Sequence, residues 1–134
     1  MLDTLTSLPS TFAAQMDALN PGAALKTIMD TIYKANSYLH TTSPWLAVKL
    51  EWDKDGVEIP VYLAAESLRI TGILLQPYMP GKAALLLDML GVDEARRTFE
   101  FAHPGKDGEY GVSKVDLGKG HKGALFPPLA SEEH

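Results

Sequence analysis

NPGAALKTIMDTIYKANSYL, residues 20–39, is the stretch that decides the fold class. Asn20 is a helix-capping residue, and Pro21 suits a first helical turn because it has no N–H to waste there. Leu25, Ile28, Met29, Ile32, Ala35 and Leu39 then recur at steps of three and four. That spacing places them on one stripe of a helix over 21–39. A helix that is apolar on one side only must bury that side against something else.

Its neighbours supply candidates. Upstream, Pro9 to Leu19 reads as a short helix capped by Ser7 or Thr6, with Phe12, Met16 and Leu19 on one face. Downstream, His40-Thr41-Thr42-Ser43-Pro44 breaks the pattern. Ser43 is a good cap and Pro44 a good first residue for a short helix to about Leu50, with Trp45 in its first turn. Asp53-Lys54-Asp55-Gly56 reads as a polar turn.

A long helix is expected from Ile59 to Gln76. Val61, Ala65, Leu68, Gly72 and Leu75 form one face, and Leu63, Ile70 and Leu74 load a second, so it should be central. Pro77 stops it. Met79-Pro80 opens a helix to Leu90, with Leu85, Leu86, Met89 and Leu90 as its core face and Gly91 as a left-handed C-cap. Asp93 to Phe101 holds a short helix at most. Glycines then dominate to Gly123, with weak strand character from Tyr110 to Leu117, before the apolar run Leu125-Phe126-Pro127-Pro128-Leu129. The expected fold is all-α: an antiparallel helical bundle over residues 1–98, with an extended, loop-rich C-terminal segment over 99–134 that docks on it.

Composition narrows the chemistry. The chain has 134 residues and no cysteine, so disulfides, zinc thiolates and thiol nucleophiles are excluded. His40, His103, His121 and His134 show no metal-ligand spacing, and no metal site is expected. No apolar run reaches membrane length, so no membrane contact is expected. The N-terminus has no basic region ahead of an apolar one, and it is not arginine-rich. A formal net charge of −5 argues against gripping nucleic acid by bulk electrostatics. Any such contact must be local, through an aromatic platform, a few amides and a few cations.

No catalytic set emerges. Glu66 and Arg69 lie three apart on one helix and read as an ion pair on its face or as a cross-link within the bundle, ahead of an acid with its electrostatic clamp. Asp53 and Asp55, and the basic cluster Lys119, His121 and Lys122, read as solvated loop charge. Trp45 has two readings. It is a core residue, or it is a partly exposed indole that stacks on an unpaired base, a mode of RNA binding that needs no positive charge.

Several runs together resemble a known family. Ala35-Asn36-Ser37-Tyr38-Leu39 followed by Ser43-Pro44-Trp45-Leu46-Ala47-Val48-Lys49 is similar to the A-N-x-Y and P-W-x-x-x-K segments of the anticodon-binding domain of methionyl-tRNA synthetases, in their bacterial and organelle branch. Glu66-Ser67-Leu68-Arg69, Leu74-Leu75-Gln76-Pro77-Tyr78-Met79-Pro80 and Leu87-Asp88-Met89-Leu90-Gly91 resemble its long helix, L-x-P-x-M-P and I-L-x-x-L-G. Leu125-Phe126-Pro127-Pro128-Leu129 resembles the closing L-F-P-R-I, with Pro128 in place of the arginine. The order agrees from about Ala24 to Leu129, and the segment from Thr98 to Val115 resembles a fungal mitochondrial insertion.

The resemblance implies recognition of the methionine tRNA anticodon loop, with Trp45 packing on the first anticodon base and Pro44 and Asn36 beside it. It implies partnership with the catalytic domain of a parent synthetase, a methionine–tRNA ligase. ATP belongs to that catalytic domain, so no cofactor is expected in this chain. Nothing here matches the family's first bundle helix, whose asparagine and arginine read the same base, or its nucleotide-binding fold. The chain is therefore expected to be inactive alone. The expected compartment is mitochondrial or cytoplasmic, with the mitochondrial matrix favoured in a eukaryote. An uncovered apolar groove is expected beside Leu25, Ile28, Ile32 or the central helix, with self-association as its consequence. The alternative function is a free-standing helical interaction module that does not bind tRNA.

Overall fold

A computed structural model describes residues 2–42, 54–108 and 110, with the side chains of 54–58 left aside. Four helices follow in order: α1 (Leu2–Asp17), α2 (Pro21–Thr42), α3 (Lys54–Leu75) and α4 (Pro80–Met89). Two short 3-10 turns follow at Glu94–Arg96 and Phe99–Phe101. Among the described residues there is no strand, and the all-α expectation holds. The strand character considered from Tyr110 to Leu117 and the apolar run at 125–129 lie outside the described residues, apart from Tyr110 itself.

α1 starts seven residues earlier than expected, and Pro9 lies inside it, buried. The hydroxyls expected to cap its start bond back into the helix instead: Thr6 donates to the Leu2 carbonyl at 2.9 Å and Ser7 to Thr4 at 3.2 Å. Leu5 and Leu8 extend the Phe12 stripe upstream, and burying them outweighs the one helical bond that proline forgoes. The helix also ends earlier than expected, at Asp17. Leu19 is 89% exposed with φ 57, while the N–H groups of Leu19 and Asn20 close the helix on the Met16 and Gln15 carbonyls.

α2 begins as expected, with the Asn20 side chain accepting from the Ala23 N–H at 3.2 Å. It runs past Leu39 to Thr42. Thr41 and Thr42 donate to the Ser37 and Tyr38 carbonyls, both at 2.9 Å, which keeps the two threonines helical. Its core face is Ala24, Ile28 and Thr31, while Met29 is 50% exposed.

α3 also starts earlier than expected. Pro60 is buried inside it, and the helix begins at Lys54, so Lys54–Gly56 is helical backbone and not a polar turn. Every position from Arg69 to Leu75 is buried. This is the central helix, with α1, α2 and α4 all packed on it. Val61 and Leu68, expected inside, are half-exposed.

α4 follows after Gln76–Met79, and Gly91, two residues past its last helical residue, takes the expected left-handed conformation with φ 72. Ala83 and Leu87 make its core face, whereas Leu85 is 44% exposed. Gly72 of α3 lets α4 approach: a Cβ there would lie 3.1 Å from a Leu87 methyl and 3.2 Å from a Leu86 methyl. Gly72→Leu should therefore overpack the α3–α4 contact and cost about 1–3 kcal/mol. Urea denaturation measures this, and an unchanged midpoint would contradict the close approach.

Beyond α4, polar side chains pin the chain to the bundle. Gln76 donates to the Arg97 carbonyl at 2.6 Å, and Arg97 donates to the Val92 carbonyl and to Asp88, both at 2.6 Å. Ala102 is fully buried, and Phe101 packs against the core. The short connections between packed helices make α1–α2 and α3–α4 antiparallel neighbours.

Candidate nucleic-acid interface

Asn36 lies on the exposed side of α2, about two turns before its end. Three residues of the same helix, Ile32, Ala35 and Leu39, flank it. Ala64, Ser67 and Leu68 of α3 face them, and together the seven line an open groove of about 190 Å³. The lining is apolar apart from the Asn36 amide and Ser67, whose hydroxyl is spent on the Leu63 carbonyl at 2.7 Å. The groove expected beside Ile32 and the central helix is thus present, while Leu25 and Ile28 turn away from it into the packed interior. Pro44 and Trp45 lie outside the described residues.

The other flank of α2 is polar. Thr27, Asp30, Thr31 and Lys34 face Thr4, Ser7 and Thr11 of α1 across a shallow cleft. α2 therefore separates an apolar groove carrying an amide from a hydroxyl-rich cleft carrying a lysine and an aspartate.

Glu66 and Arg69 form the cross-link expected of them, but in the interior. Arg69 is 0% exposed and Glu66 1%. The guanidinium grips the carboxylate with both edges, Nε to Oε1 at 2.7 Å and Nη2 to Oε2 at 2.9 Å. It also donates to the carbonyls of Phe101 and His103, and Glu66 accepts from the Gly105 N–H at 3.1 Å. Tyr110 lies over the guanidinium, 5.6 Å from ring centre to Cζ. Burial works against the charged Arg69, but the Glu66 carboxylate outweighs it and holds the guanidinium above its ordinary value. Burial, reinforced by the same carboxylate, pushes the Tyr110 and Tyr62 hydroxyls up. With both ends committed to the fold, the pair has no free group for acid–base work. Among the described residues no cluster of His, Asp or Glu could hold a metal ion. No described helix is long and apolar enough to cross a membrane.

Residues 1–106 match the model of a family described as the anticodon binding domain of methionyl tRNA ligase. The chain belongs to that family. It is 44% identical over 128 residues to a Neurospora crassa protein named "Probable methionine--tRNA ligase, mitochondrial", covering 96% of this chain and 20% of that protein. It is also 34% identical over 124 residues to the methionine--tRNA ligase of Lactococcus lactis, covering 92% and 18%, and 30% identical over 135 residues to that of Bacillus subtilis, covering 97% and 19%. The chain thus spans about a fifth of the length of the curated relatives it matches.

For an anticodon-binding domain of this family, Asn36 is the one expected site residue that lies among the described ones. It is exposed and makes no hydrogen bond among the described residues. Sequence reasoning missed Gln76 and Arg97, which pin the segment after α4: their carbonyl partners lie 21 and five residues away and carry no residue-type signal, and the Asp88 partner of Arg97 lies nine residues away, off any helical spacing.

Proposed function

We propose that this domain reads the anticodon loop of a methionine tRNA on behalf of an enzyme that ligates methionine to that tRNA with ATP. The observation that supports it is Asn36, an exposed amide at the lip of an apolar groove on the helix that leads into Pro44-Trp45. An open apolar groove beside an uncommitted amide suits an unpaired base, which offers a π face and a hydrogen-bonding edge. The chemistry of methionine activation, and the ATP it consumes, falls to a catalytic domain outside this sequence. The mitochondrial matrix is the compartment we favour, in line with the Neurospora relative's name.

The test is the affinity of the chain for an RNA hairpin carrying the methionine anticodon CAU. Trp45→Ala should weaken binding by roughly 1–3 kcal/mol, the usual worth of one base–aromatic stack, with the melting temperature retained. A core tryptophan would instead cost about 3–5 kcal/mol of stability and leave affinity per folded molecule intact, which would overturn the assignment of Trp45.

A second reading, an interaction module without tRNA binding, is favoured by the same groove together with the half-exposed Met29, Ile59 and Val61. It forecasts no response to the hairpin and a mass that rises with concentration.

A further inference from the structure

Tyr33 is 73% exposed, more than any other large aromatic side chain described. It stands one helical turn before Asn36 on α2, so the two side chains are neighbours on the helix surface. Ser37 and His40 continue the same ridge toward the end of the helix, all exposed. From Tyr33 to His40 the ridge is about 10 Å long, near the rise of three stacked bases.

Charge sets α2 apart as well. By formal charge it carries Lys26 and Lys34 against Asp30, so among the described helices it alone is net positive in a chain of net charge −5. α1 has Asp3 and Asp17 and no cation, and α4 balances Lys82 with Asp88. A locally positive helix with an exposed ring and an exposed amide on one ridge matches what a single-stranded RNA loop presents, which is phosphates outside and unstacked bases inside.

We infer that Tyr33 is a second stacking platform of this domain, taking a loop base adjacent to the one read at Asn36, with Lys34 on the flank of the ridge facing the neighbouring phosphate. The inference rests on the anticodon-reading proposal and extends it to a residue that proposal does not use. A tyrosine held by a helix loses little freedom on binding, and its ring accepts any base, so it adds affinity and register while the amide supplies selectivity. Lys34 lies over the hydroxyl-rich cleft, on the opposite side of Tyr33 from the apolar groove, and this separates backbone from bases across the helix.

The experiment is a titration of the full 134-residue chain with the CAU hairpin, in low and moderate salt, for the unaltered protein and four variants. Tyr33→Ala should weaken binding roughly five- to thirty-fold, and Tyr33→Leu by a similar factor, because leucine keeps the apolar bulk but has no π face. Tyr33→Trp should bind at least as tightly as the unaltered chain. All three should keep the melting temperature, since the side chain is mostly in solvent. Trp45→Ala is the reference. If it weakens binding as expected while Tyr33→Ala changes nothing, Tyr33 is not a platform and the anticodon reading stands. If Tyr33→Leu binds as well as Tyr33, the ridge is an apolar contact and stacking is overturned. If the unaltered chain does not bind the hairpin, the anticodon reading falls and the Tyr33 assignment falls with it.

Discussion

Arg69→Met should cost the domain about 3–5 kcal/mol of stability, the usual penalty for removing one partner of a buried ion pair. The guanidinium satisfies both oxygens of Glu66 and the carbonyls of Phe101 and His103 from a position with no exposure. Without it a carboxylate is left in the interior without its counter-charge, held by the Gly105 N–H and by the Tyr110 hydroxyl. Two carbonyls of the segment after α4 also lose their donor. Urea denaturation should show the loss, and hydrogen exchange should show the amides from Phe101 to Gly105 opening first. The double variant Glu66→Gln/Arg69→Met should be more stable than Arg69→Met alone, because the orphan charge is gone and the amide can still accept from Gly105. A loss below about 1 kcal/mol for Arg69→Met, or a double variant no better than the single one, would mean that the pair is not the clamp its geometry describes.

That clamp was half legible in sequence. A glutamate and an arginine three apart announce a pair on one helix, and nothing more local can be said. Whether the pair faces water or a returning segment depends on partners 32 and 34 residues away, and those partners are backbone carbonyls, which carry no residue-type signal. The helices were legible where periodicity and caps agreed, as at Asn20-Pro21 and Gly91. They were misplaced at Pro9, which sits inside α1 because the apolar stripe continues upstream through Leu5 and Leu8, and tertiary burial decides against the local preference. α3 likewise begins at Lys54, five residues before the expected Ile59, with Pro60 inside it.

Faces were harder than elements. Met29, Leu68 and Leu85 fit the helical period as well as their buried neighbours do, yet each is at least 39% exposed. A stripe of apolar residues wider than the contact it feeds has an edge left over, and sequence cannot say which edge. The candidate site shows the same division. Asn36 was picked out by family resemblance and lies at a groove, whereas Tyr33 was not picked out, since only exposure distinguishes it from a packed tyrosine.

The two neighbours Ile28 and Met29 turn this distinction into an expected result. They sit about 100° apart on α2, one fully buried among the helices and the other half in solvent one turn below Tyr33. Ile28→Ala removes buried methyl groups and leaves a cavity between packed helices, so it should cost about 2–5 kcal/mol. Met29→Ala should change stability by no more than about 0.5 kcal/mol, because its side chain leaves water only in part on folding. Chemical denaturation at two protein concentrations measures both. If Met29→Ala costs 2 kcal/mol or more, and the cost grows with concentration, the ridge is covered by a second copy of the chain in solution. The surface on which Tyr33 and Asn36 would meet RNA is then already occupied, and the interaction-module reading gains what the anticodon reading loses. If Ile28→Ala is costly and Met29→Ala silent at both concentrations, α2 presents a free ridge that an unpaired base can approach from solvent.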